Sequence, residues 1–197
     1  MTTANTAPET VGWIGAGRMG ASMAARLVAA GYRVAIWNRT RSKAEAVTGA
    51  SVVDRPVDLA GHKVVFTMVS TGADLEQVLF GENGLLTGDT LPEIVVDSST
   101  VGLEEAADLR ERAAKLGVTL LAAPVSGNGK VVDAGKLSIA VSGPRPAFEK
   151  VRGYLEAIGQ GVTYVGENEL ARLVKICHNL LLGVVTQSMA EITVLAE

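Results

Sequence analysis

Lys175 and Asn179 lie four residues apart in a segment that is otherwise mostly apolar. An α-helix turns about 100° per residue, so the pair falls on one face and can meet one ligand. Lysine is seldom buried unless it is paired or working. Partial burial would lower its pKa toward the range useful for moving protons. A lysine snorkelling to the surface is the plain alternative. Ser126 follows Pro124 and Val125 at the end of an apolar run. Its hydroxyl and the N–H groups after it can cradle a carboxylate, as a backbone nest does; a simple turn serine is the alternative. A proton donor beside such a cradle suits acid–base chemistry on a small carboxylate-bearing molecule. His178 points about 100° away from Asn179 and is expected to pack or face solvent. Cys177, about 200° from Lys175, is expected to be a core thiol.

The other chemistry-bearing stretch is Gly15-Ala16-Gly17-Arg18-Met19-Gly20, which follows the apolar run Val11 to Ile14. In Gly-x-Gly-x-x-Gly the first glycine permits a tight strand-to-helix turn. The second lets backbone approach a pyrophosphate, and the third lets the helix pack closely on the strand. The helix start then offers free N–H groups and partial positive charge to phosphates. An ordinary βα turn would read similarly, but here the glycines sit between a strand and a helix, with a second strand at 33–37. That strand ends in Asn38-Arg39-Thr40. A carboxylate there would hold the ribose 2′-hydroxyl of NAD; none is present. Arg39 can pair with a 2′-phosphate, with Thr40 and Arg41 adding a hydroxyl and a charge. NADP is therefore the expected cofactor, with NAD still open, as is a merely solvated arginine turn.

Positioning these groups requires alternating strands and helices. Strands are expected at 11–15, 33–37, 63–69, 94–97, 119–123, 137–141 and 162–165. Helices are expected at 19–30, 41–48, 73–79, 103–116, 146–158 and 169–195. This order predicts an α/β fold of Rossmann type, a doubly wound and mostly parallel sheet covered on both faces. Residues 1–10 read as a disordered tail, 11–166 as the dinucleotide-binding domain, and 167–197 as a long helix that starts an all-helical second domain. The strands at 63–69 and 94–97 lead into Val69-Ser70-Thr71 and Ser98-Ser99-Thr100. Ligands of open α/β sheets bind at such carboxyl ends. Glu104, Glu105, Arg110, Glu111 and Arg112 read as first-turn and solvated-face charges of one helix.

Composition narrows the function classes. The 197 residues are 48% hydrophobic and 20% charged, which is globular, and carry a net charge of −3. That charge, without any basic run, leaves no footprint for nucleic acid. A lone cysteine excludes an internal disulfide framework and fits a reducing, cytoplasmic setting. The unbroken apolar run at 180–185 is far too short to span a bilayer, so no membrane partner is expected. His62 lacks a ligand-spaced partner, so no metal site is expected. The final helix is apolar on nearly every side and must be covered by something. It is expected to belong to a longer protein or to pair with a second copy as a homodimer or higher oligomer.

Four motifs taken together resemble the β-hydroxyacid dehydrogenase family. They are Gly15-Ala-Gly-Arg-Met-Gly20, Asp97-Ser-Ser-Thr100, Ala123-Pro-Val-Ser126-Gly127 and Lys175-Ile-Cys-His-Asn179. The resemblance implies an NAD(P)-dependent oxidoreductase acting on a small hydroxy acid or its carbonyl partner. It implies Lys175 as catalytic acid/base with Asn179 as companion, and Ser126, Gly127 and Asn128 around the substrate carboxylate. It places cofactor contacts at Ala16, Arg18, Met19, Val69, Ser70, Asp74 and Thr100. The chain departs from the family at Asn128, Glu169 and Ala171, where glycine is usual, and family members carry about a hundred further residues. Imine reductases share the scaffold but usually lack the lysine. A dinucleotide-binding module without turnover is the reading from another class.

Overall fold

The computed structural model describes residues 10–196. Of the tail expected at 1–10, only Thr10 is among them, and it opens the first strand. The elements run β1 (Thr10–Ile14), α1 (Arg18–Ala29), β2 (Arg33–Trp37), α2 (Arg41–Glu45), β3 (Ser51–Val52), β4 (Val64–Thr67), α3 (Gly72–Phe80), β5 (Ile94–Asp97) and α4 (Leu103–Lys115). They continue through β6 (Thr119–Ala122), β7 (Val125–Ser126), α5 (Gly129–Asp133), β8 (Ser138–Ser142), α6 (Arg145–Ile158), β9 (Gly161–Gly166) and α7 (Leu170–Ala196).

The strands form one sheet in the order β3-β2-β1-β4-β5-β6-β8-β7, with β9 paired to β8. Pairing is parallel from β3 through β6 and antiparallel where β6 and β7 meet β8. This is the expected doubly wound, mostly parallel architecture. Side chains alternate across it as strand geometry requires. Val11, Trp13, Phe66 and Val96 join the core under α1 and α6, while Ile14, Val65 and Val95 join the one under α3 and α4. Both cores are nearly free of polar groups, which is why the strands read as apolar runs rather than as clean alternation.

Five short elements escaped the sequence reading: β3, β7, α5 and the 3-10 turns at Pro56–Leu59 and Leu85–Thr87. The register of β6 and β7 against β8 is one and the same, from Ala122 opposite Ser142 to Ser126 opposite Ser138. They are one strand interrupted at Ala123-Pro124, because proline cannot donate to the ladder. The interruption carries Ser126 past the end of β6. Gly127 follows at φ +144°, where a side chain would also run into Leu137 and Val131. Asn128 then caps α5, its Oδ1 accepting from the Val131 N–H at 3.2 Å.

The long helix α7 leaves uncovered the apolar surface that the sequence expected something beyond this sheet to cover. It docks on β8 and β9, yet only Ala171 and Arg172 are buried within it among the described residues. Leu180, Leu181, Met189 and Ile192 are all well exposed, and so is Cys177, which is no core thiol. This chain's own sheet touches only the first turns of the helix, so the rest of the apolar surface is left for another partner, as expected. An 18-residue stretch of the helix has mean hydropathy 1.4, so α7 is long and apolar enough to cross a membrane by length and composition alone. The shorter unbroken run weighed in the sequence did not signal that.

Candidate functional site

Two concave regions carry the expected residues, one at the carboxyl ends of β1, β2 and β4 and the other against β7, β8, β9 and α7. The first is a groove lined by Gly15, Gly17, Asn38, Arg39, Thr40, Val69, Ser70 and Asp74, all of them sequence-expected, together with Lys43, Gln77 and Trp37. Its floor is the glycine turn. Gly15 sits at φ +103°, where a side chain would collide with the Met68 carbonyl. A Cβ on Gly17 would meet nothing, so the backbone there stays open to the groove. Helix α1 starts at Gly17 with no side-chain cap and no acid in its first turn, leaving N–H groups to a ligand. Those features fit a dinucleotide pyrophosphate. Gly20 is shut against Gly15 and does not face the groove.

The remaining expected cofactor residues sort by position. Ala16 is buried, and its N–H donates to Asn38 Oδ1 at 2.8 Å. The Asn38 amide in turn donates to the Thr40 carbonyl at 2.9 Å. Asn38 thus ties the glycine turn to the end of β2 as well as lining the groove. Arg18 and Thr100 are exposed, and Met19 packs against the core; none of the three lines the groove. Arg39 is 83% exposed and pairs with Asp74 at 3.0 Å, so its guanidinium and that carboxylate share the mouth of the groove. Arg41 is turned away, held by Glu45 and Asp54, and supplies no charge to the groove. Lys43 takes that place; it was overlooked because it lies inside α2 rather than in the turn.

The second region is a cavity lined by Ser126, Lys175, His178, Ser138 and Thr163 over an apolar floor that includes Ile139 and Val174. Lys175 Nζ donates to Ser126 Oγ at 3.4 Å, so the two residues singled out from distant motifs meet. Burial pushes the Lys175 amine below its ordinary value. Asn179 is exposed and does not line this cavity; His178, expected to pack or face solvent, does line it. Gly127 and Asn128 are not on its wall either. Asn128 is occupied as the α5 cap, which assigns it a structural task in place of the expected substrate contact.

Behind the cavity lies a buried ionic cluster that the sequence did not disclose. Arg172 donates from Nη2 to Asp97 Oδ2 at 2.6 Å, from Nη1 to the Ser99 carbonyl at 2.9 Å and from Nε to Glu169 Oε2 at 2.8 Å. Burial works against its charge, but Asp97 and Glu169 more than offset this and hold the guanidinium above its usual value. Arg110 completes the cluster through Glu169 Oε1 at 2.9 Å. It is therefore not part of the solvated face expected for α4.

The chain matches the family described as the NAD binding domain of 6-phosphogluconate dehydrogenase over residues 10–166. It is 35% identical to 3-hydroxyisobutyrate dehydrogenase of Pseudomonas aeruginosa over 184 residues, covering 92% of this chain and 62% of that protein. Among solved structures it resembles Mycobacterium tuberculosis 3-hydroxyisobutyrate dehydrogenase with L-serine, at TM-score 0.88 and 31% identity, covering 97% of this chain and 66% of that one. It also resembles a Streptomyces aurantiacus imine reductase, at TM-score 0.82 and 30% identity, covering 91% and 64%. The chain thus spans less than two thirds of each of these relatives.

Proposed function

The chain belongs to the family of the NAD binding domain of 6-phosphogluconate dehydrogenase, and from that premise we propose an oxidoreductase that interconverts a small β-hydroxy acid and its semialdehyde or keto form. The observation that carries this reading is the meeting of Lys175 with Ser126 at 3.4 Å in a cavity of the same sheet that holds the glycine groove. A nicotinamide, when bound, supplies or accepts the hydride. In reduction, protonated Lys175 gives its proton to the carbonyl oxygen; in oxidation, the neutral amine takes it from the hydroxyl. The Ser126 hydroxyl and the adjoining backbone hold the carboxylate. Asn179, one turn beyond Lys175, is the proposed companion that orients the reacting oxygen.

NADPH is the proposed cofactor, with NADH the weaker ligand. Support comes from the absence of a carboxylate at the end of β2 and from the cations Arg39 and Lys43 on the groove. Covering of the exposed α7 face by a second copy or further protein belongs to the same proposal, as does a cytoplasmic setting, which the free thiol of Cys177 fits.

Short semialdehydes, β-hydroxy acids and cyclic imines offered with NADPH or NADH, read at 340 nm, test this reading. Turnover of the carboxylate-bearing compounds is expected. Lys175→Ala should lower kcat at least about a hundredfold while nucleotide affinity stays put. Turnover of imines alone would favour the imine reductase scaffold. Near-normal turnover by the Lys175 variant would remove the lysine from its assigned role.

A further inference from the structure

The functional reading uses Lys175 and Ser126 but leaves the buried cluster behind them without a task. A guanidinium that is 2% exposed, bonded to a carboxylate that is fully buried, is an expensive way to fasten a helix. Well-packed apolar residues of the same volume often hold as firmly, so such a cluster is weak evidence for stability. What it does supply is direction. Every donor group of the Arg172 fork is used: two reach Asp97 and Ser99 at the end of β5, and one reaches Glu169 at the head of α7, which Arg110 of α4 holds in turn, so α7 has little freedom to rotate or slide.

The acceptors are connected to the other half of the site. Asp97 Oδ1, the oxygen facing away from Arg172, accepts from Thr67 Oγ1 at 2.6 Å and from Ser99 Oγ at 2.7 Å. Ser99 Oγ in turn accepts from the Val69 N–H at 2.9 Å, and Val69 lines the dinucleotide groove. A continuous chain of hydrogen bonds therefore runs from the groove through Ser99 and Asp97 to Arg172. Lys175 is the next residue but two along α7, less than one turn away. Few other bonds anchor this helix to the sheet. Ser142 Oγ accepts from the Ala171 N–H at 3.0 Å, and beyond Arg172 no residue of α7 is buried among those described.

We propose that Arg172 is the positioning residue of the site: through Asp97 and Ser99 it fixes the rotation of α7 on the sheet, and so sets Lys175 against Ser126 and ties its place to the cofactor-facing loop at Val69. The role assigned to Lys175 rests on the proposed oxidoreductase reading, but its placement does not. Placement is measurable without turnover, so failure of one is distinguishable from failure of the other.

Competitive acetylation of Lys175 with acetic anhydride across pH, read by mass spectrometry on the 197-residue chain, reports its titration and exposure. Within the cavity, His178 is the other ionisable group on the wall, and the exposed Lys115 on α4 provides the internal reference for labelling. In Arg172→Met, Lys175 should lose its contact with Ser126 and become solvated. Its titration should then move up toward the ordinary lysine value; a shift of one unit makes acetylation at a fixed pH about tenfold slower. Arg172→Lys keeps the charge but not the three-acceptor fork, and should recover only part of the shift. Removing one partner of a buried pair can unfold the protein. If Arg172→Met does not fold, the paired variant Asp97→Asn with Arg172→Gln removes both charges, keeps a hydrogen-bonding group at each position and is read in the same way. A folded Arg172→Met, or a folded paired variant in its place, with Lys175 titrating as in the unmodified chain would overturn the proposal. So would full recovery by Arg172→Lys, since charge alone would then suffice.

Discussion

Around the glycine turn the structure leaves no slack. Gly15 cannot carry a side chain, Gly20 is shut against the Gly15 carbonyl, and the turn is tied back by Asn38. Along α7 the opposite holds: beyond the Arg172 anchor, its large apolar residues face outward and touch little of the sheet. The dinucleotide groove is made of backbone shape and is complete within one βα unit and its neighbours. The Lys175 cavity is made of side chains from elements far apart in sequence, one of them a helix held by its first turns. Recognition by backbone resists change and is carried by spacing; recognition by placed side chains depends on whatever fixes the helix.

That contrast is open to attack from both sides. The largest effect is expected at Gly20→Val, whose side chain would drive into the Gly15 carbonyl. Overpacking alone costs about 1–3 kcal/mol, and here backbone must move as well. Loss of nucleotide binding or of folding, seen by calorimetry and thermal melting, is the expected result; a folded variant that binds normally would show that the turn has slack after all.

Arg39→Ala should act less severely and on one cofactor. Loss of a charge-assisted phosphate contact costs about 1.5–3 kcal/mol, or roughly ten- to a hundredfold in affinity. NADPH should weaken by that factor and NADH should hardly change. Release of Asp74, now paired with Arg39, adds a repulsion that also falls on the phosphate. Equal affinity of the unmodified chain for both nucleotides would count against the assignment.

A milder probe is pH. Because burial lowers the Lys175 pKa, the proton leaves sooner as pH rises. Reductive turnover, which needs the protonated amine, should fall as pH rises through that lowered value, and oxidative turnover should rise across the same window. Parallel pH profiles in the two directions would deny Lys175 the role of proton carrier.

The smallest effect on stability is expected on α7. Leu181→Gln together with Met189→Gln changes outward-facing residues, so the stability of the monomer, compared at concentrations where both forms are monomeric, should move by no more than about 0.5 kcal/mol. Light scattering should nonetheless fall from a dimer or larger species toward monomer, since the apolar face is what invites association. A large loss of monomer stability would mean that the helix is buried by its own sheet.

The same contrast explains what was readable beforehand. The glycine turn, the parallel strands and the helices packed on them follow from local spacing and hydrophobic period, and all are present. Lys175 and Ser126 were legible because each interrupts an apolar stretch. Arg172 interrupts the same stretch and is more deeply buried than Lys175, yet nothing local told it apart from a surface arginine; its partners Asp97 and Ser99 lie more than seventy residues away. Strand β7 was hidden by Pro124, which ends one ladder and lets the chain resume in the same register. Lys43 and His178 were missed for a simpler reason: which face of a helix borders a cavity depends on how the helix is docked.

Protection of Lys175 from acetylation tests most directly whether the groove and the cavity form one site. The amine is labelled with saturating nucleotide present, with and without a short β-hydroxy acid. Nucleotide alone should leave labelling nearly unchanged, because Lys175 lies on the substrate side, and addition of the acid should suppress it. Unchanged labelling in the presence of both, with nucleotide binding verified, would contradict the placement of substrate between Ser126 and Lys175.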